Sequence, residues 1–458
     1  MKNIDAKRQH FSKVGYFQGI DGYQTSLAGD FHRLNVWRRH LMKTRGSNIP
    51  KREKLSRFVD LARVYRGWTR SELSKALGRD PTKLVPESGN PKLDLLVGIA
   101  DALDWHIGDV AESVWNERPK HTPDGMSFTE LRSLANTSFH EGQYEDLIHI
   151  SKKMRGVARN SEERARASYV ESLAWDGIGR YARSLECIQE ALTERELPLS
   201  LQIVMESSLA NAHYAQWHLI EARAVADDLI ERLESRTLDS TIDRATLAYA
   251  HYVSGSTSRR MIETQCHDLS RRTRDARMHL RRAVELYTDV DAESGGTDPS
   301  YLGIANTCTG GLIEVDAADG SISPTEAVEL ISNGLDAAVD PNHMPAGSWL
   351  ESWGWWSIYG CNIALRGLDG QSLHHNMAIF TNKAIEVADR LGNWSMRERA
   401  FTMENFRRRR VTDSTGFQPD WALDEEDIRV ITGTMGRFPG FRDTGWNILE
   451  TARVFESH

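Results

Sequence analysis

Residues 67 to 91 read GWTRSELSKALGRDPTKLVPESGNP, and this stretch carries the most specific structural pattern of the chain. Thr69, with Glu72 three residues later, forms a capping-box pattern at a helix start. The pattern predicts a helix over Arg70–Leu77. Gly78 follows at the position where a helix commonly ends in the left-handed conformation.

A second short helix is predicted directly after this turn. Asp80 is a favourable N-cap, and Pro81 suits the first helical position because the N–H that it lacks would have no partner there. Two short helices joined by a glycine-containing turn form a helix-turn-helix, whose second helix can enter a DNA major groove. Apolar stripes predict one helix before this motif and two after it. The stripes are Phe58, Leu61, Ala62 and Tyr65, then Leu96, Ile99, Ala100 and Leu103, then Ile107, Val110, Ala111 and Val114.

Residues 55 to 115 resemble a lambda-repressor/Cro-type (XRE-like) helix-turn-helix domain. The resemblance is carried by Trp68-Thr69-Arg70, Leu73, Leu77-Gly78, Leu84, Glu87-Ser88-Gly89, Asn90-Pro91 and Leu103-Asp104-Trp105. It implies double-stranded DNA as a partner, with contacts from Arg70, Arg79, Thr82 and Lys83. Arg70 and Lys83 are expected to reach a phosphate or a guanine edge, and Thr82 a base or a phosphate.

Two observations bear on this interpretation. The stretch Leu84–Asn90 is shorter than the family norm, and Pro86 ends the recognition helix early, so a head that serves as an interaction module is the alternative.

The distribution of charge along the chain favours DNA binding by the head. Residues 1 to 92 hold 20 Lys and Arg against 8 Asp and Glu, whereas residues 93 to 458 hold 37 against 57. A basic head on an acidic body is the asymmetry that phosphate binding favours.

Length and composition limit the number of domains and indicate the cellular location. A chain of 458 residues suggests two or three domains, and a mean hydropathy of −0.50 is typical of a soluble protein. The sequence contains no long apolar run and no apolar leader at its N-terminus, so we expect no membrane association and a cytoplasmic location. Its four scattered cysteines fit a reducing compartment. Residues 1 to 50 form a basic extension with an amphipathic helix expected near 26 to 44.

A repeat begins after a polar linker at residues 119 to 127. Gly142-Gln143-Tyr144 recurs 37 residues later as Gly179-Arg180-Tyr181, and Trp217 takes the place of the glycine 38 residues further on. Helical hairpins at this period predict an α-solenoid. The units resemble tetratricopeptide (TPR) repeats, through the Gly-x-Tyr element, the small Ala191 and the terminal Pro198. Later units are predicted as helices Arg244–Gly255 with Arg274–Asp289, Leu302–Ala318 with Pro324–Val339, and Ser348–Leu368 with Leu373–Leu391.

The predicted fold class is therefore all-α, a small five-helix head followed by a TPR-like α-solenoid of helical hairpins. The predicted divisions are an extension over 1–50, a head over 51–118, a linker over 119–127, a solenoid over 128–412 and capping helices over 413–458.

No catalytic, metal or cofactor pattern stands out, and we do not expect an enzyme. Neither adjacent pair, Cys266-His267 or His374-His375, is well placed to share a metal, because helix neighbours diverge by about 100°. The arginines at 407 to 410 and 259 to 282 are interpreted as solvated helix faces balanced by nearby acids such as Glu398, Glu404, Asp268 and Asp275. The alternative is that either group binds an anionic ligand or a second stretch of nucleic acid. Trp349, Trp353 and Trp356 share a helix face that is more often core than pocket, while Trp355 points elsewhere.

An XRE-like head on a TPR-like solenoid resembles the peptide- or ligand-sensing regulators of bacterial quorum sensing and phage lysis–lysogeny decisions. The resemblance implies a homodimeric transcriptional regulator whose solenoid groove holds a peptide, a small ligand or a protein partner. Asparagines on the first helices of repeats would pair with a peptide backbone. The residues implied are Asn211, Asn306 and Asn362, with Tyr214 and Trp353 as apolar neighbours. The alternative is a protein–protein scaffold with a degenerate head, and an enzyme with an unrecognised site is the least supported.

Overall fold

The computed structural model describes residues 51–87, 90–103, 105, 107–115, 125–238, 240–264, 268–296, 300–338, 347–416 and 421–454. These residues belong to two compact units, a head before residue 116 and a larger unit from residue 125 onward, which are described separately below. The basic extension, with its expected helix near 26 to 44, and most of the predicted linker lie outside the described residues. The described chain is almost entirely helical, which confirms the predicted all-α class.

The head contains four described helices. They are α1 (Lys51–Arg66), α2 (Arg70–Ala76), α3 (Leu93–Leu103) and α4 (Ile107–Trp115). The predicted capping box is confirmed, because the Thr69 side chain accepts from the Glu72 amide while the Glu72 carboxylate accepts from the Thr69 amide. Gly78 has a φ of +61°, so the predicted left-handed end of this helix is also confirmed.

The predicted second helix of the helix-turn-helix is wrong. Residues 81 to 87 form turns and bends, because Asp80 makes a local turn instead of starting a helix. Its carboxylate accepts from the Thr82 amide at 2.7 Å and from the Thr82 hydroxyl at 2.5 Å. Pro86 then cannot donate a helical hydrogen bond and restricts the residue before it, so too few residues remain for a stable helix.

A small apolar core holds the head together without that helix. Leu84 is fully buried in the turn and anchors it to the core. The core includes Leu55, Val59, Leu73, Leu84, Leu95, Ile99 and Val110. Tyr65 departs from its predicted stripe, since it is 57% exposed and lies beside the Arg66 guanidinium.

The larger unit is an array of helical hairpins. The first three hairpins are α5 (Phe128–His140) with α6 (Tyr144–Val157), α7 (Ser161–Gly177) with α8 (Tyr181–Leu192), and α9 (Leu199–Ala215) with α10 (Leu219–Glu234). The next three are α11 (Thr241–Thr264) with α12 (Leu269–Ser294), α13 (Ser300–Ala318) with α14 (Pro324–Ala338), and α15 (Gly347–Gly367) with α16 (Gly370–Leu391). The predicted hairpins of the later units are confirmed, and α11 and α12 are longer than the sequence pattern indicates.

The repeated turn between the paired helices has a common backbone conformation. Gly142 and Gly179 have φ values of +70° and +79°, which glycine adopts at no steric cost. Trp217 occupies the corresponding position with a φ of +64°. A non-glycine residue in this region costs roughly 1–3 kcal/mol, so the Trp217 side chain must gain compensating contacts.

The C-terminal part combines helices with one short strand pair. It contains α17 (Trp394–Thr415), β1 (Trp421–Leu423), α18 (Glu425–Met435), a 3₁₀ turn (Pro439–Phe441), α19 (Arg442–Thr451) and β2 (Ala452–Val454). The strands pair in parallel, with Trp421 opposite Ala452 and Leu423 opposite Val454. The strand pair is a difference from the capping segment, for which the sequence predicts helices alone.

Candidate functional site

The four expected DNA contacts lie around the start of α2 and the turn that replaces the second helix. Arg70 is exposed, and its Nε donates to the Pro81 carbonyl at 3.0 Å, while Lys83 is exposed in the turn. Arg79 donates to both Asp94 carboxylate oxygens at 2.8 Å. Thr82 is bound to Asp80. Arg70 and Lys83 are thus the two placed to meet an external anion.

Charge is divided within the head. Residues 51 to 92 hold 11 Lys and Arg against 5 Asp and Glu, whereas residues 93 to 115 hold 5 acids and no Lys or Arg. The basic surplus therefore belongs to α1, α2 and the following turn. Phosphate binding requires such a local surplus, while reading of bases requires an element that enters a groove. The described head supplies the first of these features, but no helix forms over the predicted reading segment.

A cavity lies on the inner face of the larger unit. The volume of this cavity is about 160 Å³. Most of its lining comes from the first helices of successive hairpins, which share one face of a solenoid. The tyrosines that line it are Tyr144, Tyr169, Tyr181, Tyr214, Tyr249 and Tyr252, and the serines are Ser172, Ser184, Ser207, Ser208, Ser300, Ser348 and Ser395. Rings and hydroxyl groups thus dominate the surface offered to a ligand.

Burial raises the pKa of two tyrosine hydroxyls of this cavity, Tyr169 and Tyr252. Burial is the main cause that raises the pKa of Tyr169 to about 12, although the hydrogen bond from Ser208 opposes it. Burial likewise raises the pKa of Tyr252 well above its ordinary value. Neutral phenols can donate and accept hydrogen bonds while their rings supply apolar contact. The cavity therefore suits a ligand with an aromatic or apolar body and some polar groups.

Arg260 is held between two aromatic rings at the cavity wall. Its guanidinium carbon lies 3.7 Å from the Tyr214 ring centroid and 4.4 Å from that of Trp217, and Nη1 donates to the Tyr214 carbonyl at 2.9 Å. The Arg399 guanidinium also lies against Trp217, at 4.7 Å from its ring centroid. These cation–π contacts supply the compensation that the left-handed backbone of Trp217 requires.

Two carboxylates also line the cavity. Among the described residues, the Asp176 carboxylate has neither a hydrogen-bond donor nor a cationic partner. Glu351 accepts from the neutral donors Asn393, at 2.8 Å, and Trp355, at 3.4 Å. The described structure pairs neither acid with an arginine or lysine, although ion pairs are frequent elsewhere in this unit.

The end of the chain closes the array by contacting its second hairpin. Arg180, in the turn between α7 and α8, donates to the Gly436 carbonyl at 3.1 Å, and Arg437 donates to the Ile178 carbonyl at 3.4 Å. Burial and the neighbouring Arg180 lower the pKa of Arg437 to about 10. We call this contact between residues 178–181 and the segment from Trp394 to Phe441 the seam.

Aromatic packing completes the seam. The Tyr181 and Phe438 rings lie 5.3 Å apart. The Trp394 ring lies against Gly179 and Gly433, where added Cβ atoms would approach it to 2.6 and 2.7 Å. Glycine at both positions permits this close approach. Because Tyr181 also lines the cavity, the seam and the cavity share a wall.

The structure places the five expected ligand residues in two groups. Asn211 and Tyr214 line the cavity. Asn306 instead donates to the Ser352 hydroxyl at 2.8 Å, which ties α13 to α15. Asn362 is buried and donates to Glu314 at 3.1 Å, and the Trp353 ring packs between those of Trp349 and Trp356.

Sequence reasoning missed most of the cavity. Tyr144 and Tyr181 mark the repeat in the sequence, and both also line the cavity. Trp355, on the other side of α15 from the tryptophan stripe, lines it as well. The available signal was the recurrence of tyrosine and serine on first helices, for example at Tyr169 and Tyr249.

The remaining features have structural explanations. Arg407 and Arg408 both pair with Glu404, and Arg271 pairs with Asp268, so the interpretation of locally balanced arginines is confirmed for these three. It is wrong for Arg259 and Arg260, which are buried and bind Glu314 and the Tyr214 and Trp217 rings. The described cysteines Cys187, Cys308 and Cys361 are buried and reduced, while Cys266 and His267 lie outside the described residues. Within the described ranges, no group of three metal-ligating side chains is assembled. Among the described helices, none combines the length and the apolar character that a membrane span requires.

No protein-family model matches the chain. No curated protein matches it either. Among solved structures, Bacillus thuringiensis PlcR in complex with the peptide PapR7 and DNA is similar, with a TM-score of 0.32 and 15% sequence identity. That similarity covers 63% of this chain and 99% of the PlcR chain.

Proposed function

We propose that this protein is a ligand-responsive, DNA-binding transcriptional regulator. The observation that carries the proposal is the tyrosine-lined cavity, which a solenoid serving only as a flat interaction surface would not need. A peptide or small ligand that bound there would contact several hairpins at once. Its binding would therefore change how the hairpins and the seam pack, and such a change is a recognised route to regulation.

The head would bind duplex DNA mainly through its phosphates. The basic surplus of α1, α2 and the following turn supports this role, with Arg70 and Lys83 as the best-placed contacts. Because residues 81 to 87 form no helix, we expect weak discrimination between base sequences from the described head. A homodimer would double the number of phosphate contacts.

The test is binding of the full-length protein to a labelled duplex from its own upstream region, with a scrambled duplex as competitor. The variant Arg70→Glu combined with Lys83→Glu should weaken binding of both duplexes to a similar extent. Arg271→Glu, an exposed change on the solenoid, is the matched control and should alter the affinity little. The absence of duplex binding, or an unaffected double variant, would reject the role of the head.

A protein–protein scaffold is the second candidate, and one observation favours it. Arg79 and Thr82, which should face DNA in a helix-turn-helix, are bound to Asp94 and Asp80 instead. Such a head is compatible with recruitment of a protein. This function would produce a stable partner complex in pull-downs from the native host and no salt-dependent binding to DNA.

A further inference from the structure

Two carboxylates of the ligand cavity lie near the start of α17. Asp176 lies three residues before Gly179, and Gly179 contacts the Trp394 ring. Glu351 accepts from Asn393, the residue before Trp394. The start of α17 therefore links the neighbourhoods of the two acids, and Ser395 in that first turn also lines the cavity.

These acids have no cation to balance them in the described structure. The cationic side chain that lines the cavity, Arg260, is stacked between Tyr214 and Trp217 and donates to a backbone carbonyl. Glu351 is bound only by neutral donors, and Asp176 by no side chain. A carboxylate that is partly withdrawn from water is stabilised by a cation, and aromatic faces attract cations as well.

We propose that the ligand carries an alkylammonium or guanidinium group on an aromatic or apolar body, and that Asp176 and Glu351 bind this cationic group. This inference rests on the proposed function of the cavity and names the chemistry of its ligand. The tyrosine rings would hold the body of the ligand, while the carboxylates would fix its charged end beside α17. A small amine and a basic group of a short peptide present the same chemistry.

The positions of Asp176 and Glu351 also predict how ligand binding affects the seam. Asp176 belongs to the second hairpin, whereas Glu351 is held by Asn393 next to the closing helix. A cation bound by both would connect the two sides of the seam. The ligand should therefore slow hydrogen exchange at residues 178 to 181 and 433 to 438, which are remote from each other in sequence.

The test is calorimetric titration of the full-length protein with probes that differ mainly in charge. Tyramine and agmatine are the cationic probes, 4-ethylphenol is the neutral one, and 4-hydroxyphenylpropionate is the anionic one. The peptides Ala-Lys-Tyr-Ala and Ala-Glu-Tyr-Ala distinguish a peptide from a small amine as the source of the cation. The variants are Asp176→Asn and Glu351→Gln, with the exposed Asp289→Asn on α12 as the matched control.

We expect a cationic probe to bind about tenfold or more tightly than its neutral or anionic counterpart, as expected for a charge-assisted hydrogen bond. Each cavity variant should lose about tenfold for the cation and little for 4-ethylphenol, whereas Asp289→Asn should lose nothing. Slower hydrogen exchange at the seam when the cationic probe binds would support the predicted connection across the seam.

Equal binding of the neutral or anionic probe, or unchanged affinity in both cavity variants, would overturn this inference and leave the cavity a ligand site. Failure of all probes to bind would overturn it as well. The DNA-binding role would then be decided separately by the duplex experiment, which does not depend on the cavity.

Discussion

A buried ion pair between α11 and α13 gives the sharpest stability prediction. Arg259 Nη1 lies 2.6 Å from Glu314 Oε2, and the two side chains are only 5% and 1% exposed. Asn362 donates to the other Glu314 oxygen, and the Tyr359 ring lies 4.4 Å from the Arg259 guanidinium. Removal of the arginine would take this cationic partner away from a buried carboxylate.

Arg259→Met should therefore destabilise the larger unit by about 3–5 kcal/mol, the cost of breaking a buried ion pair. The double variant Arg259→Met with Glu314→Leu removes both charges and should recover most of this loss, since apolar replacements of both partners are often neutral. Urea unfolding followed by far-ultraviolet circular dichroism measures the change. Arg271→Met, whose side chain is 58% exposed, is the control and should cost about 0–1 kcal/mol.

A loss for Arg259→Met as small as that of the control would refute the reasoning. It would mean that water reaches the Glu314 carboxylate or that another cation pairs with it in solution. A double variant as unstable as Arg259→Met alone would refute it in a different way, because the cost would then come from lost packing and not from the isolated charge.

Three further predictions concern the histidine pair, the seam and the head. Burial and the neighbouring His279 lower the pKa of His251 to about 3, and burial lowers that of His279, so the neutral pair stabilises the fold above about pH 6.5. This stability is lost progressively as the pH falls below that value. The loss from His251 alone should reach about 2–3 kcal/mol near pH 4.5. In urea unfolding, the midpoint of His251→Leu should therefore fall less on acidification than the midpoint of the wild type. Phe438→Ala should lower the free energy of unfolding by about 3–5 kcal/mol and speed hydrogen exchange around Tyr181. Faster exchange confined to residues 421 to 454 would argue against the seam. Thr69→Ala should cost about 1 kcal/mol and speed exchange in α2, and unchanged exchange there would contradict the capping role.

Local signals made parts of the fold predictable from the sequence. The Thr69–Glu72 capping box acts over three residues, and its prediction is confirmed. The Gly-x-Tyr turns likewise depend on the backbone freedom of Gly142 and Gly179. The helix predicted after Asp80 does not form, because the local turn from Asp80 to Thr82 and the restriction from Pro86 outweigh helix initiation.

The candidate site was less predictable because it depends on contacts between distant residues. The seam joins Arg180 to Gly436, which are 256 positions apart, and periodicity carries no information about such a contact. Asn211 and Asn362 occupy similar positions on first helices. Only the packed structure shows that Asn211 lines the cavity while Asn362 binds the buried Glu314.

The most direct test of the proposed regulator is the salt dependence of duplex binding by the full-length protein. Each neutralised phosphate contributes about −0.9 to the slope of log affinity against log salt concentration. We predict a steep negative slope for the wild type, and a slope shallower by about 2 when Arg70 and Lys83 are both changed to Glu. A flat dependence, or equal slopes for the two proteins, would contradict DNA binding by this head.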